Sequence, residues 1–249
     1  MSTLQNKIAV ITGGTTGIGF ATAKRFIGEG AKVVITGRTQ ESLDKAVSEL
    51  GANATGFRGD VSDLKSLDEL FAMVKERFGK IDTLFANAGI AKFQPLAEID
   101  EAHFDTLFNI NVKGLFFTVQ KAKSLLSSGS TVILTSSVAN SVGLPAAGVY
   151  SATKAAVRSL ARTLASEWGP EGIRVNSLSP GPIETPLFDK MGLSKEEVDE
   201  FGAGVTERVS LKRFGQADEV AKAALFLASD ESSYVVGSDF VVDGGFLQA

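Results

Sequence analysis

The sequence contains no cysteine and a single histidine. Without thiols there is no disulfide, no thiolate metal site and no cysteine nucleophile. One imidazole, that of His103, is too few for a catalytic zinc centre or a histidine proton shuttle, and it reads as a surface or capping residue. Nowhere do about 18 apolar residues run without interruption, so no membrane-spanning helix is expected. The opening Met-Ser-Thr-Leu-Gln-Asn-Lys lacks the apolar core of a signal peptide, which places the chain in the cytoplasm. An excess of charge of either sign is also missing: 25 Lys and Arg stand against 29 Asp and Glu, a net −4. That mild acidity gives no reason to expect nucleic acid or an anionic membrane as partner.

What is present is an ordinary globular composition, 44% apolar and 22% charged over 249 residues, enough to bury a large core. Residues 7–12 form a continuous apolar run, as a strand buried on both faces should. It feeds Gly13-Gly14-Thr15-Thr16-Gly17-Ile18-Gly19, and helical periodicity follows over 20–29. A glycine-rich turn between strand and helix lets the backbone approach a phosphate, with the helix N-terminus adding oriented N–H groups. Residues 32–36 read as the second strand. At its end, where a carboxylate would hold adenine ribose hydroxyls, stand Gly37 and Arg38. With no carboxylate to repel a 2′-phosphate and a guanidinium to clamp it, the pattern favours NADP(H) over NAD(H).

Further strands are expected at 54–58, 81–85, 131–135, 175–178 and 240–242. Helices are expected at 39–50, 62–78, 100–126, 149–168 and 218–228. The alternation implies one α/β domain over 1–249, a Rossmann-type doubly wound parallel sheet of about seven strands with helices on both faces. Strand ends carry the polar candidates. Asp60 and Val61 follow the third strand, where the carboxylate either meets an adenine amino group or caps the next helix. Asn87-Ala88-Gly89 follow the fourth, with Asn87 facing a ribose or tying neighbouring strands together. Ser136 and Ser137 follow the fifth. Asn111, polar within an apolar helix, demands hydrogen-bond partners. Tyr150 and Lys154, four residues apart, share one helix face, and the ammonium is expected to lower the pKa of the phenol beside it.

Thr12-Gly13-x-x-x-Gly17-Ile18-Gly19, Asn87-Ala88-Gly89, Asn111, Ser137, Tyr150-x-x-x-Lys154 and Pro180-Gly181 resemble, in order and spacing, the short-chain dehydrogenase/reductase family. The resemblance covers essentially the whole chain. It implies an oxidoreductase interconverting a carbonyl and an alcohol, with Tyr150 as general acid or base, Ser137 holding the substrate oxygen and Lys154 bonding the nicotinamide ribose. Asn111 is implied to bind a water linking Lys154 to solvent. Ile183 and Thr185, after Pro180-Gly181, are implied to take the carboxamide. Apolar Val138 and Leu144 suggest a substrate wall. The matching stretch from Leu187 to residue 209 is a lid in this family, here with a capping box at Ser194 and Glu197. Relatives form homotetramers through helices corresponding to 100–126 and 149–168. Some bind magnesium through a terminal glutamine, but Gln248 is followed by Ala249, so no metal is expected. Alternatives are an NAD(H)-preferring sugar or 3-oxoacyl thioester enzyme, an epimerase or dehydratase, and a non-catalytic nucleotide-binding protein.

Overall fold

A computed structural model describes residues 3–185, 202 and 204–248. In chain order the elements begin β1 (Ile8–Ile11), α1 (Gly17–Gly28), β2 (Lys32–Gly37), α2 (Gln40–Leu50), β3 (Ala54–Arg58) and α3 (Leu64–Phe78). Next come β4 (Thr83–Ala86), α4 (Glu101–Phe108), a π-helical stretch (Asn109–Gly114), α5 (Leu115–Ala122) and β5 (Thr131–Thr135). The chain continues with α6 (Gly148–Trp168), β6 (Arg174–Pro180), β7 (Ile183–Glu184), β8 (Gly215–Gln216), α7 (Ala217–Ala228) and β9 (Asp239–Val242).

Seven strands pair in parallel in the order β3-β2-β1-β4-β5-β6-β9. All residues of β1, β4 and β5 are buried, which is why they appear as unbroken apolar runs rather than as alternation. Alternate side chains feed opposite layers. Val10 packs with Leu67, Leu70 and Val74 of α3, Val119 of α5 and Val157 and Ala161 of α6. Ala9 and Ile11 join Phe26 of α1, Leu43 of α2 and Val220, Ala224 and Leu227 of α7. The result is the expected three-layer Rossmann-type arrangement. Strand order reverses between β1 and β4, opening a crevice at the C-terminal edge of the sheet, where strand-end residues gather.

Several boundaries differ for local reasons. α3 begins at Leu64 rather than Ser62, because Asp63, not Asp60, is its cap, accepting from Lys65 N at 3.0 Å. The expected 100–126 helix starts after Asp100, which accepts from the backbone N–H of His103, so His103 is capped rather than capping. That helix is broken by the π-helical stretch around Asn111. The short β7–β8 pair was not expected, since two-residue strands carry no periodicity. Leu187 and the Ser194–Glu197 capping box lie outside the described residues.

Candidate active site

α6 places Tyr150 and Lys154 one turn apart on the face that packs beneath the end of β5. Lys154 is 4% exposed; its Nζ donates to the Thr135 carbonyl at 2.9 Å and lies 5.7 Å from the centroid of the Tyr150 ring. Burial brings its amine down to about 8. Part of the Tyr150 side chain reaches the surface, yet its hydroxyl is well desolvated. Burial raises the phenol above its ordinary pKa, and a hydrogen bond with the Ser137 hydroxyl pulls it partly back. The expected lowering by Lys154 is therefore corrected. The amine faces the ring and the Thr135 carbonyl, and its own charge is weakened by the same burial.

Asn111 is 1% exposed and fully engaged. Its Oδ1 accepts from Ile90 N, and its Nδ2 donates to Ile90 O, both at 2.9 Å; Nδ2 also reaches Thr153 Oγ1 at 3.2 Å. The π-helical stretch thus clips onto the loop that follows Gly89. A Cβ added at Gly89 would lie 3.2 Å from Asn111 Oδ1 and 3.5 Å from Lys154 Nζ, so all three converge on one point.

The rest of the crevice edge fits a dinucleotide. α1 opens at Thr16 with no side-chain cap and no acid in its first turn, leaving its leading N–H groups for an anion. At Gly19 a Cβ would sit 2.2 Å from the Gly13 carbonyl oxygen and 2.7 Å from Asn87 Nδ2, so only glycine permits this close turn. Asn87 Nδ2 donates to the carbonyls of Thr12 at 3.1 Å and Gly13 at 3.2 Å. Its tie between strand ends is thereby in place, while Ala88 N donates to Thr12 Oγ1. Asp60 Oδ1 is engaged by Ser62 N and Oγ at 2.9 and 2.7 Å, a local turn. Val61 is buried beside it. Gly181 N donates to Val242 O, and Ile183 is buried in β7. Thr185 approaches the glycine-rich turn: a Cβ added at Gly17, next to Ile18 in the chain, would lie 3.4 Å from its side chain. A groove of about 530 Å³ lined by Thr15, Thr16, Thr39, Lys45 and the carboxylates Glu41 and Glu49 lies between the glycine-rich turn and α2.

Val138 and Leu144, expected to form a substrate wall, lie in one apolar cluster: Val138 is buried with Val209 and Phe246, and Leu144 packs on them. Sequence reasoning missed Phe93, whose ring meets that of Tyr150 edge-on at 5.7 Å. An aromatic four residues past Gly89, in a loop at the crevice edge, was the available signal. Among the described residues no group of three acidic or imidazole side chains is placed to hold a metal, and no helix is long and apolar enough to cross a membrane.

Residues 13–247 match the family model described as Enoyl-(Acyl carrier protein) reductase. The chain is 46% identical to the oxidoreductase asL5 of Sarocladium schorii, covering 98% of this chain and 97% of that one. It is 35% identical to the NADP-dependent (R)-specific alcohol dehydrogenase of Lentilactobacillus kefiri, over 98% and 97% of the two chains. Among solved structures, the short-chain dehydrogenase/reductase (glucose/ribitol dehydrogenase) of Brucella melitensis superposes with a TM-score of 0.93 at 33% identity, covering 99% of both chains.

Proposed function

The chain belongs to the short-chain dehydrogenase/reductase family, and from that premise we propose that it interconverts a ketone or aldehyde and an alcohol with NADP(H), Tyr150 acting as general acid and base. The observation that carries this reading is the buried Lys154 amine 5.7 Å from the centre of the Tyr150 ring, with the Ser137 hydroxyl near enough to the phenol to pull its pKa down. Two hydroxyls side by side at a sheet edge form a site for one carbonyl oxygen, each able to donate as negative charge builds there. NADPH, when bound, supplies the hydride. A phenol whose pKa is raised stays protonated at neutral pH, which suits Tyr150 to donating a proton and favours the reductive direction. Lys154 sits where it can bond ribose hydroxyls and hold positive charge near the phenol, while Asn111 fixes the backbone at Ile90 beside it. Free NADPH is an intracellular reductant, consistent with work in the cytoplasm.

Cofactor choice turns on the end of β2. A Cβ at position 37 would lie 2.4 Å from Thr15 Cγ2, so the packing of Thr15 excludes the carboxylate that a ribose-diol site would use. Arg38 beside it is exposed and has no ion pair among the described residues. The named NADP dependence of the Lentilactobacillus relative is consistent with this reading. Wild type is expected to favour NADPH over NADH. Arg38→Asp should lower kcat/KM with NADPH by about 10- to 100-fold while NADH is little affected, the scale of one charge-assisted phosphate contact. Equal efficiency of wild type with both nucleotides overturns the assignment.

The function itself is tested with a panel of ketones, aldehydes, sugars, 3-oxoacyl thioesters and enoyl thioesters, followed at the nicotinamide absorbance. Net NADPH consumption by a carbonyl compound supports the proposal. Turnover of enoyl thioesters alone, or conversion without net NADPH consumption, overturns it. The unpartnered face of α5 and α6, with Phe116 42% exposed beside Leu115 and Leu160, supports a homotetramer. Light scattering should then give about four times the 26.1 kDa chain mass, and a monomer would refute it.

A further inference from the structure

Tyr150 and Lys154 are followed, one more turn along the same face of α6, by Arg158. Arg158 plays no part in the proposed chemistry, yet it enters a dense polar network behind the site. Its NH1 donates to Asn140 Oδ1 at 3.0 Å and to Ser141 Oγ at 2.7 Å. Its Nε stands 3.3 Å from Asp239 Oδ2, near enough to pair as charges though not aligned as a hydrogen bond. The Asp239 side chain is only 9% exposed, and its other oxygen accepts from Ser177 Oγ at 2.8 Å and Ser179 Oγ at 2.5 Å. A nearly buried carboxylate is costly unless paired and hydrogen-bonded, and this one has both kinds of partner.

Asn140 is the hub. Its Nδ2 faces Ser136 Oγ at 3.0 Å, Ser179 Oγ at 2.9 Å and Asp239 Oδ2 at 3.2 Å. Two hydrogens serve three acceptors, so at least one is shared, and any drift of the turn breaks a contact. Ser136 Oγ in turn donates to the Lys154 carbonyl at 2.9 Å. Asn140 ends the short 3₁₀ turn Val138–Asn140, and the residue capping that turn is Ser137, whose Oγ accepts from Ala139 N at 3.2 Å. The Ser137 hydroxyl, the one that pulls on the Tyr150 phenol, therefore stands at one end of a three-residue turn whose other end is held by β6, β9 and α6 together.

We propose that Asp239 and Arg158, acting through Asn140, are positioning residues that set the Ser137 hydroxyl against Tyr150 and so define the site for the substrate oxygen. This rests on the carbonyl-reduction reading given above. None of the three touches the reacting atoms; they act by fixing the turn. Misplacing a donor by a fraction of an ångström costs rate rather than cofactor affinity.

The chain has two tyrosines, and the second, Tyr234, is fully exposed. Tyr234→Phe leaves Tyr150 alone, so a protein carrying ζ-carbon-labelled tyrosine gives one phenolic resonance that reports its hydrogen bond without cofactor or substrate. In that background Ser137→Ala should move the resonance. Arg158→Gln and Asn140→Ser should each move it in the same direction, and should add nothing further when combined with Ser137→Ala. The same two variants should lower kcat by about 10-fold or more with the cofactor dissociation constant unchanged. Arg158 is half-exposed, so its variant tests the idea even where Asn140→Ser fails to fold. A resonance and kcat unmoved in Arg158→Gln, or a shift that adds fully to that of Ser137→Ala, overturns the positioning role. If instead Ser137→Ala alters neither the resonance nor turnover, the carbonyl-site reading itself falls.

Discussion

Tyr150→Phe should lower turnover by about 10²-fold or more while NADPH affinity stays near that of wild type. The substitution deletes one oxygen, which in the proposed mechanism is the proton donor and one of two hydroxyls facing the substrate carbonyl. The aromatic ring remains, so the edge contact with Phe93 and the amine of Lys154 over the ring face keep their partners. Ser137 retains its bond from Ala139 N, so the turn that presents it does not lose its cap. Burial already opposes ionisation of the phenol, so removing it relieves a desolvated polar group and the variant should fold normally. Calorimetric titration with NADPH and single-turnover rates separate the two effects. Because Ser137 and Tyr150 act on one oxygen, Ser137→Ala in the Tyr150→Phe background should cost much less than alone. Turnover of Tyr150→Phe within a few-fold of wild type removes the phenol from the acid role.

How much of this was legible beforehand follows the range of the interactions. β3 and β5 both fall on their expected residues; β5 is a buried apolar run between threonines, whereas β3, Ala-Thr-Gly-Phe-Arg, follows from the strand–helix alternation. The order of motifs along the chain likewise predicted which strand ends meet in the crevice, since a doubly wound sheet brings all C-terminal ends to one edge. The break at Asn111 was not visible, because a π-helical stretch shares its apolar spacing with the α-helix on either side. What betrays it is only the partner, Ile90, across the crevice. Asn140, Arg158 and Asp239 are unremarkable polar residues until three separate elements bring them together. The direction of the Tyr150 shift was misjudged for a related reason. Spacing shows that a lysine is near, but desolvation depends on everything packed around the phenol, and it outweighs the neighbour.

Lys154→Met should abolish most activity, again by about 10²-fold or more, and should change how stability depends on pH. The amine titrates at about 8 in the folded protein against 10.5 unfolded, a depression caused by burial. Between these values the unfolded chain binds more protons, so wild-type stability rises with pH across that window. The burial penalty on the charged amine is present in full below about 8 and relieved towards 10.5. The rise amounts to about 3 kcal/mol at most. Lys154→Met lacks this group and should show a flatter curve over the same range. Stability at a single pH is a poorer test, because methionine leaves the Thr135 carbonyl without its donor, a loss of about 1–3 kcal/mol that offsets the gain. The charge that burdens the fold is also the one the proposed mechanism uses, so wild-type reduction should decline as pH climbs through about 8. Denaturant midpoints and kcat, each measured from neutral pH to 10, decide the matter. Wild-type stability flat across that window, or Lys154→Met retaining activity within tenfold, would show that the amine is neither desolvated nor engaged with the phenol as described.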